Sequence, residues 1–459
     1  MTALWTATEI ADAVGGSVHG DFAADGVAFD SREVRAGDLF VAMKGEATDG
    51  HRFLGQAFAA GAAGAIVSAE IAEPHVHVAD TVAALTALGR GARARSAAKI
   101  VGVTGSVGKT GTKEALFAAL DRAEPGRAHR SLKSYNNHTG VPLSLARMPR
   151  DTRFGVFEMG MNHAGELAVL TQIVRPHVAI VTAIAPAHRE FFASEEAIAD
   201  AKGEIFQGLE PGGTAIIPDD SPHRERLIAA ARPYAARIWT FGRSDRADVR
   251  ARDVVRAPGS GSLVTASLPG AELTFTIAQP GEHWVSNALA VLAAVVAVGG
   301  DLAVAGLALA DQPGLKGRGE RRRIALDGGE ALLIDESYNA NPASMRATLA
   351  TLGAEAVEGR RIAVLGAMRE LGPDGADFHA ALAAPIEEAG VDLAVLVGTE
   401  MEPLAKALGN RIKMTHVADA PSAILALRGR IAPGDAILVK GSNAVGLAAL
   451  VEALASGKS

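Results

Sequence analysis

GVTGSVGKTGT, residues Gly102–Thr112, decides the fold class of this chain. It grows out of the apolar run Lys99–Thr104 and leads into a helical run, Lys113–Leu120. Thr104 ends the strand. Gly105, Ser106, Val107, Gly108, Lys109 and Thr110 then form a loop that can turn its backbone N–H groups toward a phosphate, with the positive end of the following helix behind them. Lys109 would reach the β and γ phosphates, and the Thr110 hydroxyl suits a Mg²⁺ ion. The other reading is a glycine-rich strand-to-helix turn with no ligand. Strand, glycines, lysine and threonine in one register favour the phosphate loop. The loop specifies a nucleoside triphosphate and does not choose among ATPases and GTPases.

Working outward, the pattern repeats: a short β-branched run, a glycine-containing turn, an Ala/Leu-rich helical stretch. The runs are Phe154–Met159, Val178–Ile184, Thr214–Pro218, Ile362–Leu365, Leu393–Val397 and Ala436–Val439. Strands alternating with helices predict an α/β fold with parallel sheets covered on both faces. At 459 residues the chain exceeds one ordinary core, and about three domains are expected. Residues 1–98 carry short strands at Leu39–Met43, Ala65–Val67 and Val76–Val78. Residues 99–314 open with the phosphate loop and include Ala247–Ala278, which reads as antiparallel strands with turns at Pro258-Gly259 and Pro269-Gly270. Residues 315–459 start with a hairpin, Arg322–Asp327 and Ala331–Asp335, joined by Gly328-Gly329. A βαβα succession follows, like a small doubly wound domain. Gln312-Pro313-Gly314 is the expected hinge.

Composition removes several function classes. Net charge is −7 with both signs mixed along the chain, so no basic face for nucleic acid is expected. The absence of cysteine excludes disulfides, thiolate catalysis and cysteine metal sites. The start, MTALWTATEIADAVGG, lacks the basic region and apolar run of a signal peptide. No uncharged apolar stretch approaches the roughly 18 residues of a membrane span; Leu289–Val298 is short and Ala-rich and reads as core. A cytoplasmic protein with no membrane partner is expected.

Further motifs stand in order along nearly the whole chain: FDSREVRAGDLFVAMKG (29–45), TGSVGKTGTKE (104–114), NNHTGVPLSL (136–145), EMGMNHAGEL (158–167), APAHREFFAS (185–194), AKGEIFQGL (201–209), PGEHWVSNALAVLAA (280–294), KGRGER (316–321), DESYNANPASM (335–345) and LVKGS (438–442). This ordered series resembles the Mur ligases. DESYNANPASM with AKGEIF is most similar to the branch that adds D-alanyl-D-alanine; the Asp-Asn-Pro-Arg motif typical of the diaminopimelate-adding branch is absent from the sequence. The resemblance implies a three-domain architecture: an N-terminal domain for a UDP-sugar, a central P-loop ATPase domain and a C-terminal Rossmann-like domain. It implies ATP and Mg²⁺ as cofactors, UDP-N-acetylmuramoyl-tripeptide and D-alanyl-D-alanine as partners, and a monomer. The implied reaction forms an amide through an acyl phosphate. Cations and positioned donors do most of the work when charge spreads over the transferring phosphoryl group.

Residue by residue, Lys109 supplies one cation. Thr110 and Glu158 are the candidates for a first Mg²⁺, which needs hard oxygen ligands. Glu158 closes the strand Phe154-Gly155-Val156-Phe157, where a parallel sheet presents its carboxyl edge. By resemblance, His188 helps bind a second Mg²⁺ and Lys202 is a carbamate, an anion made by adding CO₂ to a deprotonated lysine. From the sequence alone Lys202 reads as a lysine paired with Asp200 or Glu204. The resemblance puts Asn287 near the adenine and Arg318 at the γ-phosphate, where a planar guanidinium can hold two oxygens. It puts Asp335, Tyr338 and Asn339 against the nucleotide from the third domain. Without it, Asn341-Pro342 reads as a helix start. Ser31, Arg32 and Lys44 are expected at the UDP end, and Asn136, Asn137 and His138 at the muramoyl portion. Asn339 and Lys440-Gly441-Ser442 are candidates for meeting the dipeptide.

Four positions depart from the family pattern: Gly111 for a commoner Thr, Trp284 for a frequent Asn, Ala367 for Asp and Asn443 for Arg. The rival readings are a diaminopimelate- or lysine-adding Mur ligase, a folylpolyglutamate synthetase, and a non-ligase P-loop switch or binding module.

Overall fold

The computed structural model describes residues 3–45, 48–186, 190–257 and 261–456. His188 and the Pro258-Gly259 turn lie outside the described residues.

Beside a two-stranded ribbon of Trp5–Thr6 and Ala23–Ala24, three larger sheets follow one another along the described residues. The first has five strands in the order Ser17–His19, His75–His77, Gly64–Val67, Asp38–Val41, Gly26–Ala28. All neighbours are parallel except the first pair. The second has nine strands. Its parallel part runs Ala128–Arg130, Phe154–Glu158, Lys99–Thr104, Val178–Val181, Thr214–Pro218, Arg237–Gly242, Val249–Arg256, and the antiparallel strands Ser262–Leu268 and Ala271–Ile277 extend it. The third has six strands in the order Glu320–Leu326, Gly329–Glu336, Ala436–Lys440, Arg361–Gly366, Leu393–Val397, Lys413–Val417. Only its opening hairpin is antiparallel. Gln312-Pro313-Gly314 falls between the helix Leu302–Asp311 and this third sheet.

The core strands of the central sheet, Lys99–Thr104, Phe154–Glu158, Val178–Val181 and Thr214–Pro218, are buried on both faces, which explains their continuous apolar runs. On one face Leu116, Ala119 and Leu120 of the phosphate-loop helix pack with Leu289, Leu292 and Val295 of the helix Glu282–Val298. That helix is apolar almost all round because it lies inside the core. On the other face Leu167, Leu170, Ile198 and Ala201 close over the sheet. The antiparallel extension sits where expected, with a tight turn at Pro269-Gly270 between paired Leu268 and Ala271.

Most element ends shift from expectation, and two of the shifts change the local reading. The strand beginning at Val178 ends at Val181, and the chain then leaves the sheet at its carboxyl edge. The hairpin pairs Leu326 with Gly329, so its two-residue turn is Asp327-Gly328, with Gly328 at φ 91°. Gly329 is the first paired residue of the return strand.

Candidate active site

The carboxyl ends of the central strands open into a cavity of about 760 Å³, closed on its far side by the third sheet's loops. The phosphate loop forms its floor. Gly105 has φ 153°, and a Cβ there would collide with the Thr182 hydroxyl. Gly108 has φ 86° and caps the helix Lys109–Ala123; a Cβ there would lie 2.7 Å from Asn287 Oδ1. Both positions therefore demand glycine. Ser106, Val107, Gly108, Lys109 and Asn287 line the cavity. The Lys109 ammonium donates to the Gly105 carbonyl at 2.7 Å, folded back over its own loop. Burial lowers its pKa, Arg318 adds to that, and Glu158 opposes it. The hydroxyls of Thr104 and Ser106 are buried with no hydrogen-bond partner among the described residues, a deficit that an anion bound in the loop can relieve.

Glu158 is 1% exposed, and both its oxygens are engaged. Thr110 Oγ1 donates to Oε2 at 2.9 Å, and Asn136 Nδ2 donates to Oε1 at 2.8 Å. Lys113, fully buried one helical turn after Thr110, stands 3.9 Å from Oε2 and donates to the carbonyls of Ser131 and Lys133 at 2.9 and 3.0 Å. It ties the phosphate-loop helix to the segment carrying Ser134 and Asn136. Sequence reasoning missed it, although a lone lysine one turn into an Ala/Leu-rich helix was a usable signal.

Lys202 does not line the cavity. It is 1% exposed, and neither of its expected partners is available. Asp200 pairs with Arg226 at 2.9 Å, and Glu204 accepts from the backbone N–H of Gly165 at 2.7 Å and Ala168 at 3.2 Å. Among the described residues no ion pair reaches its ammonium. Burial, with Lys109 nearby, drives its pKa well down.

From the third sheet, Arg318, Tyr338, Asn339 and Lys440 face the loop across the cavity. The Arg318 guanidinium stacks over the Tyr338 ring at 4.4 Å. Asp335 does not line the cavity. Its carboxylate accepts from Gly317 N–H at 2.9 Å and from Ser337 N–H and Oγ at 3.0 and 2.6 Å, fixing the two turns that carry Arg318 and Tyr338. Glu336 and Lys440, register partners on adjacent strands, also enter the cavity; Lys440 Nζ donates to the Asn339 carbonyl at 2.9 Å and to Glu336 at 3.4 Å. His283, half-buried on the cavity wall, has its pKa pushed down to about 4 by desolvation, and the Lys440 charge adds to that.

The residues expected at the nucleotide-sugar end are spread out. Ser31 donates to Gln56 Oε1 at 3.0 Å. Arg32 pairs with Asp30 at 2.6 Å. Lys44 and His138 are exposed, and Asn137 Oδ1 caps the helix Gly140–Ala146 by accepting from Gly140 N–H at 2.9 Å. None of these lines the cavity. A link exists that the sequence did not reveal: Glu33 accepts from Lys133 and, at 2.8 Å, from the Tyr135 hydroxyl, joining the Ser31-Arg32 loop to the segment that leads to Asn136.

Comparison with known proteins gives the same answer at several levels. Residues 24–102 match the model of the Mur ligase family catalytic domain, residues 103–295 the Mur ligase middle domain, and residues 317–443 the Mur ligase glutamate ligase domain. A relative from Synechocystis sp. named UDP-N-acetylmuramoyl-tripeptide--D-alanyl-D-alanine ligase is 36% identical over 95% of this chain and 92% of its own. The chain belongs to the Mur ligase family. A crystal structure of MurF from Acinetobacter baumannii superposes on this Mur ligase with a TM-score of 0.85 at 30% identity, covering 98% of this chain and 99% of that one. MurF ligase from Thermotoga maritima, solved in complex with ADP, gives a TM-score of 0.77 at 26% identity over 94% and 97% of the two chains.

Two of this Mur ligase's departures explain each other. A Cβ on Gly111 would lie 3.1 Å from Trp284 Cη2, so the indole fills the space a threonine side chain would need. Gly111 and Trp284 both border the cavity beside Asn287. Ala367 is fully buried, and Asn443 lines the cavity; nothing in the structure accounts for their identity.

Proposed function

We propose that this Mur ligase uses ATP to join D-alanyl-D-alanine to UDP-N-acetylmuramoyl-tripeptide, in peptidoglycan precursor synthesis, at the cavity between the central and third sheets. The observation that carries the site is the convergence of Lys109, Arg318 and Lys440 from two sheets on one 760 Å³ space. A triphosphate and a carboxylate meeting there bring several negative charges, and buried cations stabilise them better than solvated ones.

The tripeptide's terminal carboxylate attacks the γ-phosphorus, and ADP leaves. The dipeptide amine attacks the acyl phosphate carbon, loses its proton, and phosphate departs. Lys109 releases the Gly105 carbonyl and takes phosphate oxygens. Arg318, held flat against Tyr338, offers its fork to the transferring group. Asp335 acts through others, fixing the Arg318 and Tyr338 turns. Lys440 and Asn339 border the side from which the amine enters. Asn287 is assigned to the adenine. Ser31, Arg32 and Lys44 are assigned to the UDP moiety, and Asn136, Asn137 and His138 to the muramoyl end, with Glu33 coupling the two segments.

Thr110, Glu158 and the hard oxygens beside them suit Mg²⁺, which when bound supplies charge neutralisation for the phosphates. Lys202 and His188 are assigned to a second ion. A buried lysine with no counter-ion holds its proton weakly, so the neutral amine can add CO₂, release a proton and become a carbamate. That anion offers oxygens where an ammonium would repel a cation.

The cavity is completed within one chain, which supports action as a monomer. Division at 1–98, 99–314 and 315–459 assigns one of the three larger sheets to each domain. No helix among the described residues is long and apolar enough to cross a membrane, and the nucleotide substrates favour the cytoplasm as the site of reaction. The test is phosphate release from ATP with UDP-muramoyl tripeptide, with and without D-alanyl-D-alanine, the product followed by mass. Release that ignores the dipeptide, or a preference for free diaminopimelate or lysine with UDP-muramoyl dipeptide, would overturn the assignment.

A further inference from the structure

The N-terminal sheet holds a second cluster of metal-binding side chains, far along the chain from the phosphate loop. His19, Glu70 and His75 place one potential ligand atom each within 4.8 Å of the others. They come from three adjoining pieces of backbone: the edge strand Ser17–His19, its antiparallel neighbour His75–His77, and the loop between Gly64–Val67 and that neighbour. His19 and His75 are direct register partners, and their rings stack at 4.6 Å with 4° between planes.

The decisive atom is His75 Nε2. The ring is 1% exposed, and Nδ1 lies 2.8 Å from the Glu73 carbonyl. A carbonyl can only accept, so Nδ1 carries the hydrogen, and in the neutral ring Nε2 presents a lone pair. That buried lone pair has no hydrogen-bond partner among the described residues. It faces Glu70 Oε2 at 3.8 Å, too far for a hydrogen bond, with room for a cation between the two atoms. A carbonyl fixing the far nitrogen of an imidazole is also the usual support of a metal-bound histidine.

We propose that His19, Glu70 and His75 bind a divalent transition cation of the zinc class, with water in the remaining position. Two imidazoles and a carboxylate are a donor set such ions favour over Mg²⁺ or Ca²⁺. Ligand atoms around a tetrahedral zinc ion lie roughly 3.3 Å apart, given bonds of about 2.0 Å. The cluster must therefore tighten by up to about 1.5 Å, and the His19 ring must turn out of its stack, because a bound ion lies in the plane of each imidazole. His19 and Glu70 are exposed and free to move inward. His19 Nε2 now lies 3.2 Å from the Ser17 hydroxyl, an exposed contact that water can replace. The ion would clip a three-residue, fully exposed edge strand to the sheet and to the Glu70 loop.

The test uses the full-length chain, stripped of transition metals and saturated with Mg·ADP so that the ligase cavity is filled. Co²⁺ is titrated and its visible d–d bands recorded, then Zn²⁺ is added. The expected result is one equivalent of Co²⁺ with the intense bands of a four- or five-coordinate site, displaced by Zn²⁺, and a Zn²⁺-dependent rise in Tm of a few degrees. His19→Asn and Glu70→Gln, both exposed positions, should each weaken Co²⁺ binding at least tenfold and lose the Tm rise. Ligation without added transition metal should be unchanged. His75→Asn would give the same loss, but its burial risks misfolding, so the two exposed variants decide. Wild-type bands that persist with equal affinity in both variants would place the metal elsewhere and overturn the proposal, as would a wild-type chain showing no such bands.

Discussion

The phosphate-loop end of this Mur ligase and the proposed nucleotide-sugar end are both legible as motifs, yet the structure treats them differently. At the ATP end, Ser106, Gly108, Lys109, Glu158, Asn287 and Arg318 arrive from separate elements at one cavity. At the sugar end, Ser31, Arg32, Lys44 and His138 stay on the surface or turn to neighbours such as Gln56 and Asp30. At the first end the charged groups already converge on one cavity, half-buried or buried, and Lys109 exchanges only a bond to its own loop. The second rests on Arg32, Lys44 and His138, which are exposed, and on a buried Ser31 bonded to Gln56, and such bonds must be exchanged for those of a ligand. Loss of a preorganised cation should cost much of the rate, and loss of an exposed one should cost little beyond binding.

The largest expected effect is therefore at Lys109. Lys109→Ala should lower kcat about a thousandfold or more, by analogy with the removal of a preorganised charge from a phosphoryl-transfer site. Circular dichroism should show the fold unchanged, since the ammonium's one hydrogen bond among the described residues is to its own loop. Turnover within tenfold of wild type would break the contrast at its stronger side.

Next comes Lys202. Lys202→Ala should lose about a hundredfold or more in activity, and formate or acetate should restore part of it by filling the vacated oxygen site. A structural lysine would show no such rescue. Lys202→Met should also be inactive while raising Tm in a CO₂-depleted preparation, because it removes a buried ammonium with no ion-pair partner among the described residues. A fully active Lys202→Ala would end the carbamate's part in the mechanism.

The same contrast governs what the sequence reveals. The phosphate loop is legible because its function is local: strand, two obligatory glycines, lysine and helix start lie within a dozen residues, and backbone geometry does the rest. The parallel α/β architecture is legible from buried apolar runs for the same reason. Glu336 and Lys440 become partners only through the pairing of two strands distant in sequence. Glu33 meets Lys133 and Tyr135 only because one sheet docks on another. Asp335 reads as a ligand-facing residue in a motif; its real partners, Gly317 and Ser337, emerge from the way two turns close. The Asp200 or Glu204 pairing of Lys202 fails because each carboxylate finds a better donor on a neighbouring element.

The Gly111–Trp284 contact tests how finely the ATP end is packed. Gly111→Thr should raise the KM for ATP about tenfold, since overpacking beside the loop forces the Trp284 ring or the helix to move. Gly111→Thr combined with Trp284→Asn should recover most of that loss, returning both positions to the common family residues. If the two effects simply add, the contact is not coupled to nucleotide binding.

The smallest effect is expected at Arg32, on the other side of the comparison. Its side chain is 81% exposed, and its partner Asp30 is held at a pKa of about 2 chiefly by the guanidinium. Asp30 is thus ionised and paired throughout the neutral range. The pair is complete above the ordinary carboxylate pKa and fails only as pH falls through about 2, so it gives no pH dependence near neutrality. A diphosphate arriving at this loop must draw Arg32 away from Asp30 or share it, and the net gain is that of an exposed ion pair. Arg32→Ala should therefore raise the KM for the UDP-muramoyl substrate by about two- to fivefold, with kcat and the KM for ATP unchanged. Added salt should shrink the difference, because exposed pairs are screened. A loss in kcat as large as that of Lys109→Ala would show that the sugar end is preorganised too, and the two ends would no longer differ in kind.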